Sequence, residues 1–170
     1  QLMESDNTIL NICCKDICSI RKLPILPLAY VAIFDEGNGN TVDVINTNTD
    51  TVINTITAGR GPTRVAITSD GSKAYVVNGI DRTVSVIDTL SNSVISVIPV
   101  GDNPQGIAIT PDNAKAYVAN HVSDTLSIIN AVDDIVIGTI SMDSPFDIAI
   151  TPDGTRGYVV NLNIDSVTVI

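Results

Sequence analysis

Four copies of one short phrase limit what this chain can fold into more than any other feature it carries. Ala29-Tyr30-Val31, Ala74-Tyr75-Val76-Val77-Asn78, Ala116-Tyr117-Val118-Ala119-Asn120 and Gly157-Tyr158-Val159-Val160-Asn161 set their tyrosines 45, 42 and 41 residues apart. A period of this size marks stacked supersecondary units, none of which can bury its apolar face alone. With hydrophobic residues at 44%, aromatics at 4% and no Trp, the core has to be built from Val, Ile and Ala, a mixture rich in strand-favouring residues.

One unit reads as strand, turn, strand, strand, strand. Arg64 to Thr68 is a short apolar run, and Ser69-Asp70-Gly71-Ser72 is a turn in which Asp accepts local backbone bonds and Gly takes positive φ. Ala74 to Asn78 is the second strand, and Thr83 to Asp88, alternating polar and apolar residues, is the third. Ser93 to Pro99 is the fourth, reached through the hairpin loop Leu90-Ser91-Asn92. The order repeats from Gly106 to Ile140 and starts again at Asp147, where the last unit shows only three strands. Tyr30 to Ile33, Thr41 to Ile45 and Thr51 to Ile56 supply strands two to four of an earlier unit, whose first strand falls around Ile17 to Pro24.

Four antiparallel strands in about 42 residues make one propeller blade. The fold class is therefore all-β, a β-propeller or partial propeller of about four blades. Residues 1–28 form an N-terminal Cys-containing segment, a closing strand or a linker, and residues 29–170 form the repeats. Other repeat classes fail: the WD type needs Trp-Asp, kelch repeats run nearer 50 residues, and helix pairs need a 3.6 period.

Tyr75-Val76-Val77-Asn78, Thr83 to Thr89, Ile98-Pro99-Val100-Gly101 and Pro104-Gln105-Gly106-Ile107-Ala108-Ile109-Thr110-Pro111-Asp112 resemble the YVTN-type β-propeller repeat of surface-layer and periplasmic propeller proteins. The resemblance covers residues 29–170. It implies an extracytoplasmic or cell-surface propeller, usually non-catalytic and commonly of seven blades, acting as a binding or scaffold module. Three places depart from the pattern: Ile33 stands where the phrase has Asn, Gly37-Asn38-Gly39 lengthens the first loop by three residues, and Ser141-Met142-Asp143 replaces Pro-Val-Gly with one residue deleted before Pro145. A propeller enzyme of the lactonase or lyase type is the alternative that similar propellers suggest.

Net charge of −10 and a pI near 4.2 argue against nucleic acid, whose binding relies on clustered Lys and Arg. No run of about 18 apolar residues is present to span a bilayer, and Gln1 to Asp6 lack the basic stretch and apolar run of a signal peptide. The expected partner is a protein or a cell-surface polymer.

Cys13, Cys14 and Cys18 all precede the repeats, so the blades fold without disulfide staples. Free thiols, a crosslink between chains and part of a metal site all stay open for them. Zinc wants four N or S ligands, and His121 is the single histidine. A crosslink would make the chain a self-assembling surface subunit. No cofactor is expected: Asp35 and Glu36 beside Gly37-Asn38-Gly39-Asn40 have the oxygen-rich character of a calcium loop without its spaced ligands.

The open edge of a three-stranded last blade needs cover. Thr8 to Ile12 would close a small four-bladed ring, or the edge would be met by further sequence or by another copy through a symmetric assembly.

Function on a rigid repeat scaffold sits on its loops. Those joining strand four to the next strand one, and strand two to strand three, share one propeller face. This places Arg60, Arg64, Arg82, Asp102, Asn103, Gln105, His121, Asp124, Phe146 and Asp147 together as a candidate ligand or partner surface. His121 with Asp124 has the makings of a base and its orienter, with no nucleophile assignable. Asp70, Asp112 and Asp153 recur at one turn position and read as turn formers. The repeated tyrosines read as core residues with a bonded hydroxyl.

Overall fold

The computed structural model describes residues 17–22, 28–35 and 38–170. Among the described residues, fifteen strands form four antiparallel sheets, each a meander in chain order. The first blade holds β1 (Ile17–Lys22), β2 (Leu28–Ile33), β3 (Thr41–Asn46) and β4 (Thr51–Thr57). The second holds β5 (Pro62–Ile67), β6 (Lys73–Asn78), β7 (Thr83–Asp88) and β8 (Ser93–Pro99). The third holds β9 (Pro104–Ile109), β10 (Lys115–Asn120), β11 (Thr125–Asn130) and β12 (Ile135–Ser141). The fourth has three strands, β13 (Pro145–Ile150), β14 (Gly157–Asn161) and β15 (Ser166–Val169), with a 3-10 turn at Leu162–Ile164.

The first strand of the first blade lies where the sequence puts it, pairing Ile20 with Val31 and Arg21 with Tyr30. Cys13, Cys14 and the Thr8 to Ile12 segment lie outside the described residues, as does Glu36; Cys18 falls on β1.

Why the blades stack follows from their burial. The second strands of the first three blades are mostly buried, as in β6, whereas β4 and β8 are largely exposed and each turns one Ile inward, Ile56 and Ile98. Strand alternation sends the two faces of each blade to different neighbours. Tyr30, Ala32, Val42 and Val44 of the first blade meet Val65, Ala74, Val76 and Ile87 of the second. The opposite face of the second, Ala66, Tyr75, Val77, Val84 and Val86, meets Ile107, Ala116, Val118 and Ile129 of the third. Ala108, Ala119 and Leu126 then meet Ile148 and Val159 of the fourth. The core is therefore a series of seams between blades.

In the second, third and fourth blades the turn between first and second strands is closed by the recurring aspartate. Asp70 accepts the Ser72 amide at 3.0 Å, Asp112 that of Ala114 at 3.0 Å and Asp153 that of Thr155 at 3.1 Å. Threonine side chains ahead of these bonds, at Thr68, Thr110 and Thr151, hold all three carboxyls below the usual range. The Asp70 and Asp153 turns add glycine at positive φ, Gly71 and Gly154, while the middle turn uses Asn113 at φ 58°.

The tyrosines divide. The Tyr30 hydroxyl donates to Asn92, and the Tyr75 hydroxyl donates to the Ala131 carbonyl at 3.1 Å and to Asp134 at 2.6 Å, so each reaches the next blade. Tyr117 is partly buried, and Tyr158 is 39% exposed on the outer face of the fourth blade. The expectation of a buried, bonded hydroxyl holds for the first two; among the described residues neither Tyr117 nor Tyr158 is fully buried or bonds through its hydroxyl.

Burial, then the charge of Asp88, pushes the Tyr30 phenol up to about 12. Burial, then the Asp134 carboxylate, pushes the Tyr75 phenol up as well. A raised folded value means that this stabilisation is complete below the unfolded tyrosine value near pH 10 and fades above it. Alkaline titration followed by circular dichroism should show stability falling between about pH 10 and 12, and Tyr30→Phe should flatten that fall.

Candidate functional site

The loops of one face are zipped together by their backbones. Ala58 donates to Asn40, Gly61 to Gly39, Val100 to Arg82, His121 to Asn103, Val122 to Asp102, Met142 to Asp124 and Leu162 to Ser144. Every link joins a loop between fourth and first strands to a loop between second and third strands. The two loop classes that the sequence assigns to one surface are thus bonded to each other.

A second layer under these loops fixes their height. Asn78, Asn120 and Asn161, closing β6, β10 and β14, are essentially buried. Each donates through Nδ2 to two hydroxyls: Asn78 to Thr83 (3.1 Å) and Ser85 (2.9 Å), Asn120 to Thr125 (3.1 Å) and Ser127 (2.8 Å), Asn161 to Ser166 (3.2 Å) and Thr168 (2.7 Å). The Asn78 carbonyl also accepts the Gly59 amide at 3.1 Å, while the Asn120 and Asn161 carbonyl oxygens are buried without a partner. These asparagines support the loop face and were not singled out from the sequence. Their signal was there, an Asn followed five and seven residues later by hydroxyls.

The candidate side chains form three groups. Arg60 pairs with Asp81 at 2.7 Å, and Arg82 pairs with Asp102 at 3.0 Å. The Arg60 amide, ahead of its guanidinium, holds the Asp81 carboxyl below the usual range. Both arginines are about two-thirds exposed, so these pairs orient surface side chains and add little stability. Gln105 donates to Asn103 at 2.7 Å, and the Asp102 amide donates to Ser123.

The second group is His121, Asp124 and Phe146, joined through Ser144. The His121 Nδ1 lies 3.2 Å from the Ser144 Oγ, Asp124 accepts the Ser144 amide at 2.9 Å, and the Phe146 ring meets the imidazole edge-on with centroids 5.8 Å apart. No hydrogen bond joins Asp124 to His121, so the carboxylate orients the loop at Ser144 and not the imidazole. Ser144 is buried, with φ at 47°. This cluster couples the third blade to the fourth.

The third group spans three blades. Arg64 on β5 reaches Asp147 on β13 at 3.2 Å, passing the inner strand β9 at Gly106. A Cβ on Gly106 would lie 2.6 Å from the Asp147 Cα and 2.7 Å from its Oδ1, so only glycine lets the strands approach this closely. Arg64 and Asp147 line one end of a cavity of about 490 Å³ that runs along β5, β9 and β13 and onto the face carrying Tyr158 and Val160. Among the described residues no group of three or more His, Cys, Asp or Glu is placed to hold a metal ion, and no helix is long and apolar enough to cross a membrane.

Antiparallel meanders stacked blade against blade define a β-propeller. The YNCE-like β-propeller family model matches residues 52–166, and the chain belongs to that family. Its fold is similar to that of a solved chain of Kuenenia stuttgartiensis hydrazine synthase, at 26% identity and a TM-score of 0.83, over 97% of this chain and 48% of that one. The chain thus spans about half the length of that relative. No curated protein matches it.

Proposed function

We propose that this chain is part of an extracytoplasmic propeller of the YVTN type, whose loop face binds a protein or a cell-surface polymer. The observation that supports this reading most is the zipped face itself. Arg60, Arg82, Asp102 and His121 come from loops of different blades, yet each is held by a neighbouring loop, so the surface is presented in one shape before any partner arrives. Preorganisation of this kind lowers the entropic cost of association.

Hydrazine synthase is named as an enzyme, and chemistry on the same face is the competing reading for this chain. That reading needs convergent His, Glu and Arg side chains. Here the His121 imidazole faces Ser144 and Phe146 instead, an arrangement that suits recognition.

The test is capture from an extracellular extract by the immobilised chain. Combined Arg64→Ala, Arg82→Ala and His121→Ala should reduce the captured partner by tenfold or more while the far-ultraviolet spectrum stays that of the parent. Undiminished capture would overturn the loop-face assignment.

A further inference from the structure

Asparagine stands directly before glycine twice in the sequence, at Asn38-Gly39 and at Asn78-Gly79. A glycine carries no Cβ beside its amide nitrogen, so that nitrogen has a free approach to the carboxamide carbon of the asparagine before it. The fold treats the two pairs differently.

Asn78 is locked. It is fully buried, its Nδ2 donates to Thr83 and Ser85, its Oδ1 accepts the Gly59 amide, and the Gly79 amide is tied to the Gly61 carbonyl at 2.7 Å. Asn38 is exposed in the loop between β2 and β3, and its side chain makes no hydrogen bond among the described residues. One bond restrains the amide that follows it, from Gly39 to the Phe34 carbonyl at 3.0 Å. Glycine is required there, because a Cβ on Gly39 would collide with the Ile33 carbonyl oxygen. The path of this loop therefore keeps the reactive pair together and leaves it open to water.

We propose that Asn38 is a self-modification site, which converts to aspartate and isoaspartate and thereby unclips one corner of the loop face. The Gly39 nitrogen attacks the Asn38 Cγ and a C–N bond forms. The Cγ–Nδ2 bond breaks, and ammonia leaves with the proton that the Gly39 nitrogen gives up. Water then opens the cyclic imide at either of its carbonyls. Opening at the Asn38 main-chain carbonyl leaves the chain running through Cβ and Cγ, an isoaspartyl link with an extra carbon in the backbone.

The two residues after that link are the clips. The Gly39 carbonyl accepts the Gly61 amide at 2.9 Å, and the Asn40 carbonyl accepts the Ala58 amide at 2.8 Å. They hold the Arg60 loop to the first blade. Its bonds to the second blade, from Gly79 to the Gly61 carbonyl and from Ile80 to the Arg60 carbonyl, involve no atom of the altered segment. The isoaspartyl link thus frees the loop on one side only, whatever the face binds.

The test is to age the full chain in mildly alkaline buffer, folded and in urea, and to map both asparagines by peptide mass spectrometry. Asn78 has three more bonds to break than Asn38, so conversion in the folded chain should be about a hundredfold faster at Asn38. In urea the two rates should be similar. Hydrogen exchange at the Ala58 and Gly61 amides should quicken about tenfold in the aged chain, as the bonds that protect them are lost. Asn38→Asp, which carries the new charge on an ordinary backbone, and aged Asn38→Gln should both keep the exchange of the fresh parent. Equal conversion of the two asparagines in the folded chain, or an Asn38 that converts in urea alone, would overturn the proposal. So would unchanged exchange at Ala58 and Gly61 once Asn38 has converted.

Discussion

Gly106→Val is expected to lower stability by about 3 kcal/mol in a urea titration, the scale of severe overpacking. The new side chain cannot rotate away from its obstacle, because the atoms within 3 Å of the first added carbon are the Asp147 Cα and Oδ1 and the Phe146 carbonyl oxygen. Relief requires β9 and β13 to separate, which also draws Asp147 from Arg64 and loosens the seam between Ala108 and Ile148. Gly138→Ala is the control. A Cβ there meets only the Ile128 Cδ1, at 3.9 Å, so the change should stay within about 0.5 kcal/mol. Equal effects of the two substitutions would mean that the inner strands are not held at contact distance by Gly106.

Asn78→Ala should cost about 3 kcal/mol, because it strands the Thr83 and Ser85 hydroxyls and the Gly59 amide in a buried layer. Asn120→Ala removes two equivalent donated bonds, but its carbonyl oxygen has no partner to lose. Its cost should be smaller by about 1 kcal/mol, the net worth of one hydrogen bond. Parallel urea titrations of the two variants make the comparison. An equal loss would show that the Gly59 amide finds another acceptor when Asn78 is shortened.

The strands were legible because each carries its own punctuation. Ser93 to Pro99 is bounded in the sequence as in the structure, since a turn precedes it and a proline closes it. The first blade lacks a first strand unless one comes from around Ile17 to Pro24, and β1 lies there although Arg21 and Lys22 stand where other blades have Ala and Ile. Grouping the loop residues on one face was also within reach, because the order of a meander decides which loops share an end. Pairings were not. Arg64 and Asp147 are 83 residues apart, and their contact depends on a glycine in a strand between them, so no local pattern announces it. His121 and Asp124 suggested a direct pair by proximity in the chain. Hairpin geometry instead turned the carboxylate toward Ser144, a residue that drew no notice because serines in loops are common. Tyr117 and Tyr158, whose hydroxyls are unbonded among the described residues, sit in copies of the phrase that holds Tyr75, and nothing in the phrase itself announces the difference.

The tyrosine contact has a direction, since in both seams where it forms the donor belongs to the earlier blade and the acceptor to the later one. A module that carries its plug on one side and its socket on the other can be copied in tandem without redesign, because the duplicate meets each neighbour with chemistry already in place. Such a gene lengthens or shortens by whole blades, and the loops of each new copy are free to diverge, while the second-strand tyrosine and the asparagine that ends that strand hold it in line.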